Sequence, residues 1–388
     1  MKTHAPPAAR LRWPQVHAFR LGRHHLLRRA KKQDLVKVAG AIGGAQAQVM
    51  SIAEMQLAVR VKCSTREVRE ALWKDKTLVK TWVMRGTLHL IPAADLPLYS
   101  AALRTKWMKP RPSWLKFYEL SEAELEEFAS VIGQALTDKP MTREEVIAVA
   151  ADGRSPRIRH WLRSGWGGLL KPVARRGLLC FGPSRGNSVT FVQPRQWLGA
   201  WREIDPDLAL VEVARRYLRT FGPATKSDFA RWWGLSSGGA AAAAWTALAD
   251  DLAVVDVEGT RMQILAEDLQ TISTVQVEPS VQLLPSFDPY LMGHASRDHL
   301  FDRVYAPRVS RIAGWISAVV LVDGRVEGTW THAVSDRTLR IVIEPFGRFA
   351  PRVKAAVEAR AESLAEAMGL TSVDVRSSSA RVARRARA

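Results

Sequence analysis

The sequence predicts an α+β chain: three tandem winged-helix units, each a helix-turn-helix plus a β-hairpin wing, and then a C-terminal β-rich, barrel-like domain. Three observations carry this. One order of elements, three helices then two short strands around a turn, recurs three times along residues 28–265. The texture changes after about Thr271 to alternating strands and polar loops. The chain is also strongly basic, with 57 Lys+Arg against 38 Asp+Glu and a formal net charge of +19 on 388 residues. That length supplies several domains, and 47% apolar with 24% charged residues is ordinary globular composition.

The first repeat has helical segments at Arg28–Val38, Ser51–Arg60 and Ser64–Trp73. The last two open Ser-Ile-Ala-Glu and Ser-Thr-Arg-Glu, which read as capping boxes with Glu54 and Glu67 three residues after the hydroxyl. "LVKTWVMRGTLHLI" then reads as strand, Arg85-Gly86 turn, strand. The second repeat has Glu122–Leu136, then Thr142–Ala150 opening Thr-Arg-Glu-Glu, then a basic helix from about Pro156 to Lys171. It closes on the hairpin "RRGLLCFGPSRGNSVTFV". The third has Leu208–Thr220, Thr225–Trp233 opening Thr-Lys-Ser-Asp, Ala240–Asp250, and a hairpin turning at Glu258-Gly259. Beyond it, "FDPYLMGHASRDHLF" is a polar loop, "GWISAVVLVDGRVEGTWTH" a hairpin with an Asp323-Gly324 turn, and "TLRIVIEPF" a further strand. An amphipathic helix over Pro351–Met368 stops at Gly369. The expected domains are 1–112, 113–198, 199–272 and 273–374, with a disordered basic tail over 375–388.

The charge points to a polyanionic partner. The tail holds five arginines and no acid, and residues 1–34 carry a net +8, so +6 is left on the body of the chain. No run of about 18 apolar residues occurs, and the basic start lacks an apolar signal core, so neither a membrane span nor secretion is expected. Two cysteines, Cys63 and Cys180, cannot build a disulfide framework or a four-thiolate site, and a reduced cytoplasmic setting follows.

Most enzyme signatures are missing. There is no phosphate-binding Gly-rich loop ending in Lys-Ser/Thr, no Gly-x-Ser-x-Gly elbow, no Cys-x-x-Cys and no His-Glu-x-x-His. Gly165-Trp166-Gly167-Gly168 misplaces the third glycine of a dinucleotide fingerprint. His294, Asp298 and His299 match no metal-ligand spacing and read as a polar loop, so neither metal nor cofactor is expected.

Chemistry is best placed in "VAGAIGGAQAQVMSIAEMQLAVRV". Gln46 and Gln48 follow Gly43-Gly44-Ala45, and in an extended segment residues i and i+2 face one side. Two amides would then point into one cleft beside small residues that admit another backbone.

These residues resemble the AlkZ/YcaQ-type winged-helix DNA glycosylases. The likeness runs through Arg23–Leu26 in "FRLGRHHLLRRA", "GAIGGAQAQVMSIAEMQLAVRV", "TWVMRGTLHLIP", "LLPSFDPYLMGH" and "GWISAVVLVDGRVEGTW", spread over residues 20–332. The resemblance implies three winged helices and a β-barrel-like domain around a basic channel of duplex size, with Gln46 and Gln48 as the catalytic motif. The YcaQ-like branch has Asp at the second position; Gln48 puts this chain nearer the AlkZ-like, antibiotic self-resistance branch.

Two amides suit one reaction. A purine alkylated at N7 or N3 is already cationic and leaves without a general acid. What is left is to place a water and to stabilise oxocarbenium-like charge, which a Gln oxygen does. The expected activity is monofunctional glycosidic hydrolysis on alkylated double-stranded DNA, bulky adducts and cross-links included, by a cytoplasmic, nucleoid-associated monomer. Lys37 and Lys62 only flank the segment and suggest no Schiff base.

Arg85 at the first wing's turn and His89 beside it are the nearest expected DNA contacts. Arg154, Arg157, Arg159 and Arg163, with Trp161 and Trp166, mark a basic, aromatic helix suited to phosphates. Arg297, with Asp288 and His294, approaches from the last domain, while Trp73, Trp232 and Trp233 read as core. The alternative is a non-enzymatic winged-helix DNA-binding protein, a regulator or adduct-sequestering factor, which predicts salt-sensitive binding and no abasic product.

Overall fold

The computed structural model describes residues 6–105, 110–153, 156–165, 167–235 and 238–378, with the side chains of 157, 238 and 313 excepted. A strand, β1 (Ala9–Leu11), and a helix, α1 (Trp13–Arg23), open the chain. The first unit follows: α2 (Leu35–Ala41), β2 (Ala45–Gln46), α3 (Met50–Ala58), α4 (Thr65–Trp73), β3 (Leu78–Trp82) and β4 (Leu88–Pro92). Helices α5 (Leu96–Ala102) and α6 (Pro112–Tyr118) lead to the second unit. It comprises α7 (Glu122–Ala135), β5 (Met141–Thr142), α8 (Arg143–Ala150), α9 (Pro156–Arg163), α10 (Leu170–Arg175), β6 (Cys180–Arg185) and β7 (Ser188–Val192). After α11 (Pro194–Leu198) come α12 (Pro206–Phe221), α13 (Lys226–Trp233), α14 (Gly238–Ala247), β8 (Leu252–Val257) and β9 (Thr260–Leu265), the third unit.

The repetition extends to hydrogen bonding. In each unit the short extended piece before the second helix pairs with the second strand of the hairpin: β2 with β4, β5 with β7, and the bridge Ala224–Gln263 onto β9. That piece ties the helices to the hairpin and fixes where the next helix starts.

Capping explains most of those starts. Ser64, Thr142 and Thr225 each accept from the backbone of a Glu or Asp three residues on, whose carboxylate reaches back, so the expected Ser64 box forms and two more form at Thr142 and Thr225. The Ser51 box does not. Helix α3 begins at Met50 after Val49, and Glu54 is buried and forked by Arg69 at 2.6 and 3.0 Å. A buried carboxylate takes a cation in preference to a backbone amide that the helix can satisfy otherwise.

Three further expectations change. The helix expected at 28–38 is a short 3-10 turn (Lys32–Asp34) running into α2. The long basic helix of the second unit is broken into α9 and α10, because Gly167 sits at φ +65. The basic start, read with the first unit, instead supplies β1 in parallel beside β8 of the third unit. The trio Trp73, Trp232 and Trp233 packs inward as expected, with Trp233 fully buried.

After α15 (Leu269–Thr274) the last part contains β10 (Val281–Leu284), α16 (Pro289–Met292), α17 (Ala306–Val309), β11 (Ala318–Val322), β12 (Arg325–Ser335), β13 (Thr338–Pro345), α18 (Pro351–Ala367) and β14 (Ser372–Ser377). These strands form one sheet in the order β10-β11-β12-β13-β14, packed by α18. The sheet is open: its end strands β10 and β14 pair with their single neighbours and not with each other. It is a curled half-barrel, so the barrel-like expectation holds without closure. The segment expected as disordered tail starts inside β14, and its residues 379–388 lie outside the described ones.

The parts are not independent beads. Ile52 and Met55 of α3 belong to the core of the C-terminal sheet, and Met84 of the first hairpin belongs to the core of the third unit. Arg60 and Asp288, both fully buried, fork together at 2.8 and 2.6 Å between the end of α3 and the start of α16. Helix α3, directly after Gln48, is thereby fastened to the last domain.

Candidate active site

Gln46 ends β2 opposite His89 on β4. Its backbone is gripped on both sides by one side chain: Gln46 N–H donates to Gln56 Oε1 at 3.0 Å, and Gln56 Nε2 donates to Gln46 O at 3.4 Å. The same Gln56 amide donates to Ser286 O at 3.0 Å, so a residue of α3 bridges β2 to the C-terminal domain. Gly44 permits the approach of β4, since a Cβ there would lie 2.9 Å from Ile91 and the residue stands at φ +88.

The Gln46 side chain is 6% exposed, and its Oε1 accepts from Arg85 Nη2 at 3.2 Å. Gln48, past the end of the strand, is exposed and accepts or donates no hydrogen bond within the described residues. The two amides are thus unlike in surroundings: one anchored, one presented to solvent. The strand ends at Gln46, so the simple i, i+2 alternation stops two residues short of Gln48 and does not make them equivalent.

Arg85 is not at an exposed wing tip. It occupies a left-handed turn (φ 56) followed by Gly86 (φ 66), and its Nη1 donates to Trp232 O at 2.8 Å. The hairpin is docked on the third unit there; a Cβ on Gly234 would come within 2.9 Å of Arg85 Cα. Burial lowers the Arg85 pKa to about 10, helped by the positive charges of Arg297 and Arg231. Arg297 and Arg231 thus lie close enough to Arg85 for their charges to act on it, and none of the three has a carboxylate partner among the described residues. Concentrated positive charge without acid is the electrostatic footprint of a phosphate-facing surface.

His89 is buried and its Nδ1 lies 3.0 Å from Thr87 O. Burial and then Arg85 push its pKa down to about 3, so it is neutral at physiological pH. Arg297 is held by Leu291 O and Ser310 Oγ, both at 2.8 Å. Arg159 is exposed on α9, Arg163 faces Glu144 at 3.6 Å, and Trp161 is half-buried. Arg154, Trp166 and the Arg157 side chain lie outside the described residues.

His294 and His299 pack edge-on with ring centres 5.1 Å apart, but Asp298 does not join them. His294 Nε2 lies 3.0 Å from Phe221 O, Asp298 pairs with Arg303, and Arg20 Nη1 lies 3.0 Å from His299 Nε2. They brace the last domain on the third unit and on α1. Cys63 and Cys180 are buried free thiols. Cavities of about 740 and 600 Å³ open on either side of Gly22 and His25, and neither is lined by Gln46 or Gln48.

Gln56, Ser286 and Arg231 escaped the sequence reading. Gln56 carried a usable signal, a lone amide inside the apolar run "AEMQLAVRV". Arg231 and Ser286 carried none, because only the packing of distant units brings them here.

The chain matches the family model "DNA glycosylase AlkZ-like" over residues 39–367. It is 38% identical over 375 residues to the "Interstrand DNA cross-link repair glycosylase" of Streptomyces sahachiroi, covering 94% of this chain and 98% of that one. The solved structure of Streptomyces sahachiroi DNA glycosylase AlkZ superposes with a TM-score of 0.85 at 35% identity, covering 95% of this chain and all of that one. The alternative of a non-enzymatic DNA-binding protein gives way to these matches. The chain belongs to the AlkZ-like family and is a DNA glycosylase.

Proposed function

We propose that Gln46 and Gln48 carry the reaction and that the leaving group is a cationic purine, alkylated at N7 or N3. The observation that carries this reading is the contrast between the two amides: Gln46 clamped by Gln56 and Arg85, Gln48 open to solvent two residues on. The alkylated base departs as a neutral leaving group, and a water adds to the sugar's anomeric carbon and gives up its proton to solvent. Gln48 holds that water through its side-chain oxygen. Gln46, its amide fixed by Arg85, offers a second acceptor lone pair to the same water or to the developing positive charge. Neither amide is a base of useful strength, so unmodified purines, which need protonation to leave, are spared by chemistry.

The three repeats act as winged helices, and Arg231, Arg297 and Arg159 meet phosphates of double-stranded DNA. The relative's name, a cross-link repair glycosylase, fits bulky adducts and interstrand cross-links as substrates here too, in repair or in self-resistance to a genotoxic product. The enzyme works as a monomer in the cytoplasm on the nucleoid; among the described residues no helix is long and apolar enough to cross a membrane. The test is release of free base from a duplex carrying 7-methylguanine. The intact enzyme should yield 7-methylguanine and an abasic strand that breaks only on later alkali treatment. Strand scission without alkali would refute the monofunctional course.

A further inference from the structure

The cavity of about 740 Å³, which neither Gln46 nor Gln48 lines, has three walls: the turn that ends α1, the stretch 276–280 ahead of β10, and α18. Arg352, Ala356 and Arg360 follow at intervals of four on α18 and line it as one stripe. The small Ala356 leaves room between the two arginines. Such a volume suits a ligand of mononucleotide size and is too small for a duplex.

The cations of these walls are poorly matched by acids. Arg360 Nε donates to Val281 O at 3.0 Å, and its two terminal nitrogens have no partner among the described residues. Burial and then the positive charge of Arg29 lower the Arg360 pKa, so like charges are held side by side. Arg28 is exposed without a carboxylate partner among the described residues, and Arg352 meets only Asp323, at 3.5 Å. That carboxylate also accepts from Ser280 N–H at 2.7 Å, which fixes the stretch ahead of β10. His25 adds a second observation. It follows α1 at φ 54, in a helix-ending turn where glycine is the usual residue, and it lines the cavity. Holding a histidine in the left-handed region costs free energy that glycine would spare. Glu278, exposed on the stretch ahead of β10, has no cationic partner among the described residues.

Guanidinium forks match phosphate oxygens, and three of them on one cavity exceed what the two oxygens of a carboxylate ligand can occupy. A protein carboxylate in the same cavity accepts from sugar hydroxyls, as in dinucleotide sites. We propose that this cavity is a second binding site, for a nucleoside phosphate, with the phosphate on Arg28, Arg352 and Arg360 and the sugar hydroxyls toward Glu278. The phosphate belongs either to a free nucleotide or to the end of a DNA strand, which present the same group to the arginines. The site goes beyond the glycosylase reaction and does not depend on Gln46 and Gln48 being the reacting residues.

The experiment is calorimetric titration of the full-length protein with adenosine 5′-monophosphate, with adenosine, and with a 5′-phosphorylated single-stranded oligothymidylate. The monophosphate should bind and adenosine should not. Arg28→Ala and Arg360→Ala should each weaken binding about tenfold or more, the scale of a lost charge-assisted hydrogen bond. Arg360→Lys keeps the charge without the fork and should recover only part of that loss. Ala356→Phe keeps every charge and fills the cavity, so it should abolish binding, which general attraction to a basic protein would survive. Arg28 is exposed, so Arg28→Ala decides the matter even if Ala356→Phe melts early. Excision of 7-methylguanine should stay at the wild-type rate in Arg28→Ala and Arg360→Ala. Binding of the monophosphate assigns a free nucleotide; binding of the oligothymidylate alone, lost in Ala356→Phe, assigns a strand end. No binding of either, or binding that survives both arginine substitutions, would overturn the site. A loss of excision that matches the loss of binding would place these arginines in the DNA path and overturn it equally.

Discussion

Arg85, in the turn of the first hairpin, donates through Nη2 to Gln46 Oε1 at 3.2 Å and through Nη1 to Trp232 O at 2.8 Å. One guanidinium thus joins the end of β2 to the second helix of the third unit, and Gln46 can hold its orientation only while those two units stay docked. The orientation of the Gln46 amide oxygen, to which we assign a catalytic role, is set by tertiary packing.

Removal of this bond should therefore be felt in rate. Arg85→Ala, and equally Arg85→Met, which keeps the stem without donors, should lower single-turnover excision roughly ten- to a hundredfold, the scale of a misplaced reacting group. If Arg85→Met excises at the wild-type rate, Arg85 only fills space.

Gly234 tests the same contact from the other side. Its φ of +90 and the 2.9 Å gap to Arg85 Cα leave no room for a side chain. Gly234→Ala should cost about 1–3 kcal/mol in denaturant unfolding. It should also reproduce part of the Arg85→Ala rate loss. Unchanged stability would mean that the hairpin is not docked as described.

The Arg60–Asp288 fork should be the stability-critical ion pair. Both partners are fully buried, and Asp288 also accepts from Tyr290 N–H at 3.0 Å at the start of α16. Asp288→Ala strands the guanidinium and should cost roughly 3–5 kcal/mol, whereas Arg60→Met with Asp288→Leu together should recover much of that loss. Thermal melting of the three proteins decides it.

Acid should unfold this protein partly through its histidines. Burial, and then a neighbouring arginine, lowers His17 and His89 to about 3 and His299 to about 2. In the unfolded chain a histidine titrates at about 6.5. Between about pH 6.5 and 3 the unfolded state therefore binds more protons. Stability is full above pH 6.5 and falls as pH drops below it. His89→Gln should flatten the decline in melting temperature between pH 6.5 and 4; an identical slope would show that His89 is not buried and neutral.

Phosphate contacts have their own signature. Arg231→Ala and Arg159→Ala should each weaken binding to all duplex sequences alike and reduce the salt slope of log K by about one. A slope unchanged in both variants would remove them from the interface.

The three repeated units were legible because local chemistry writes them: Ser64/Glu67, Thr142/Glu145 and Thr225/Asp228 form their boxes, and Arg85-Gly86 and Asp323-Gly324 turn as their φ tolerance suggests. What the sequence misjudged depends on distant partners. Glu54 looked like a helix cap and instead pairs with Arg69, and the start of the chain joined the third unit through β1 and β8. At the site, Gln46 and Gln48 were legible as a pair of amides. Their unequal burial was not, since it follows from Gln56, Arg85 and Trp232 converging from three elements.

The most direct test of the account is single-turnover release of 7-methylguanine from duplex DNA by the intact enzyme, Gln48→Ala, and Gln46→Ala/Gln48→Ala, all with matched melting curves and matched duplex binding. The account predicts rapid release by the first, loss of roughly a hundredfold or more in the second, and background depurination in the third. Release by the double variant at the wild-type rate would contradict it.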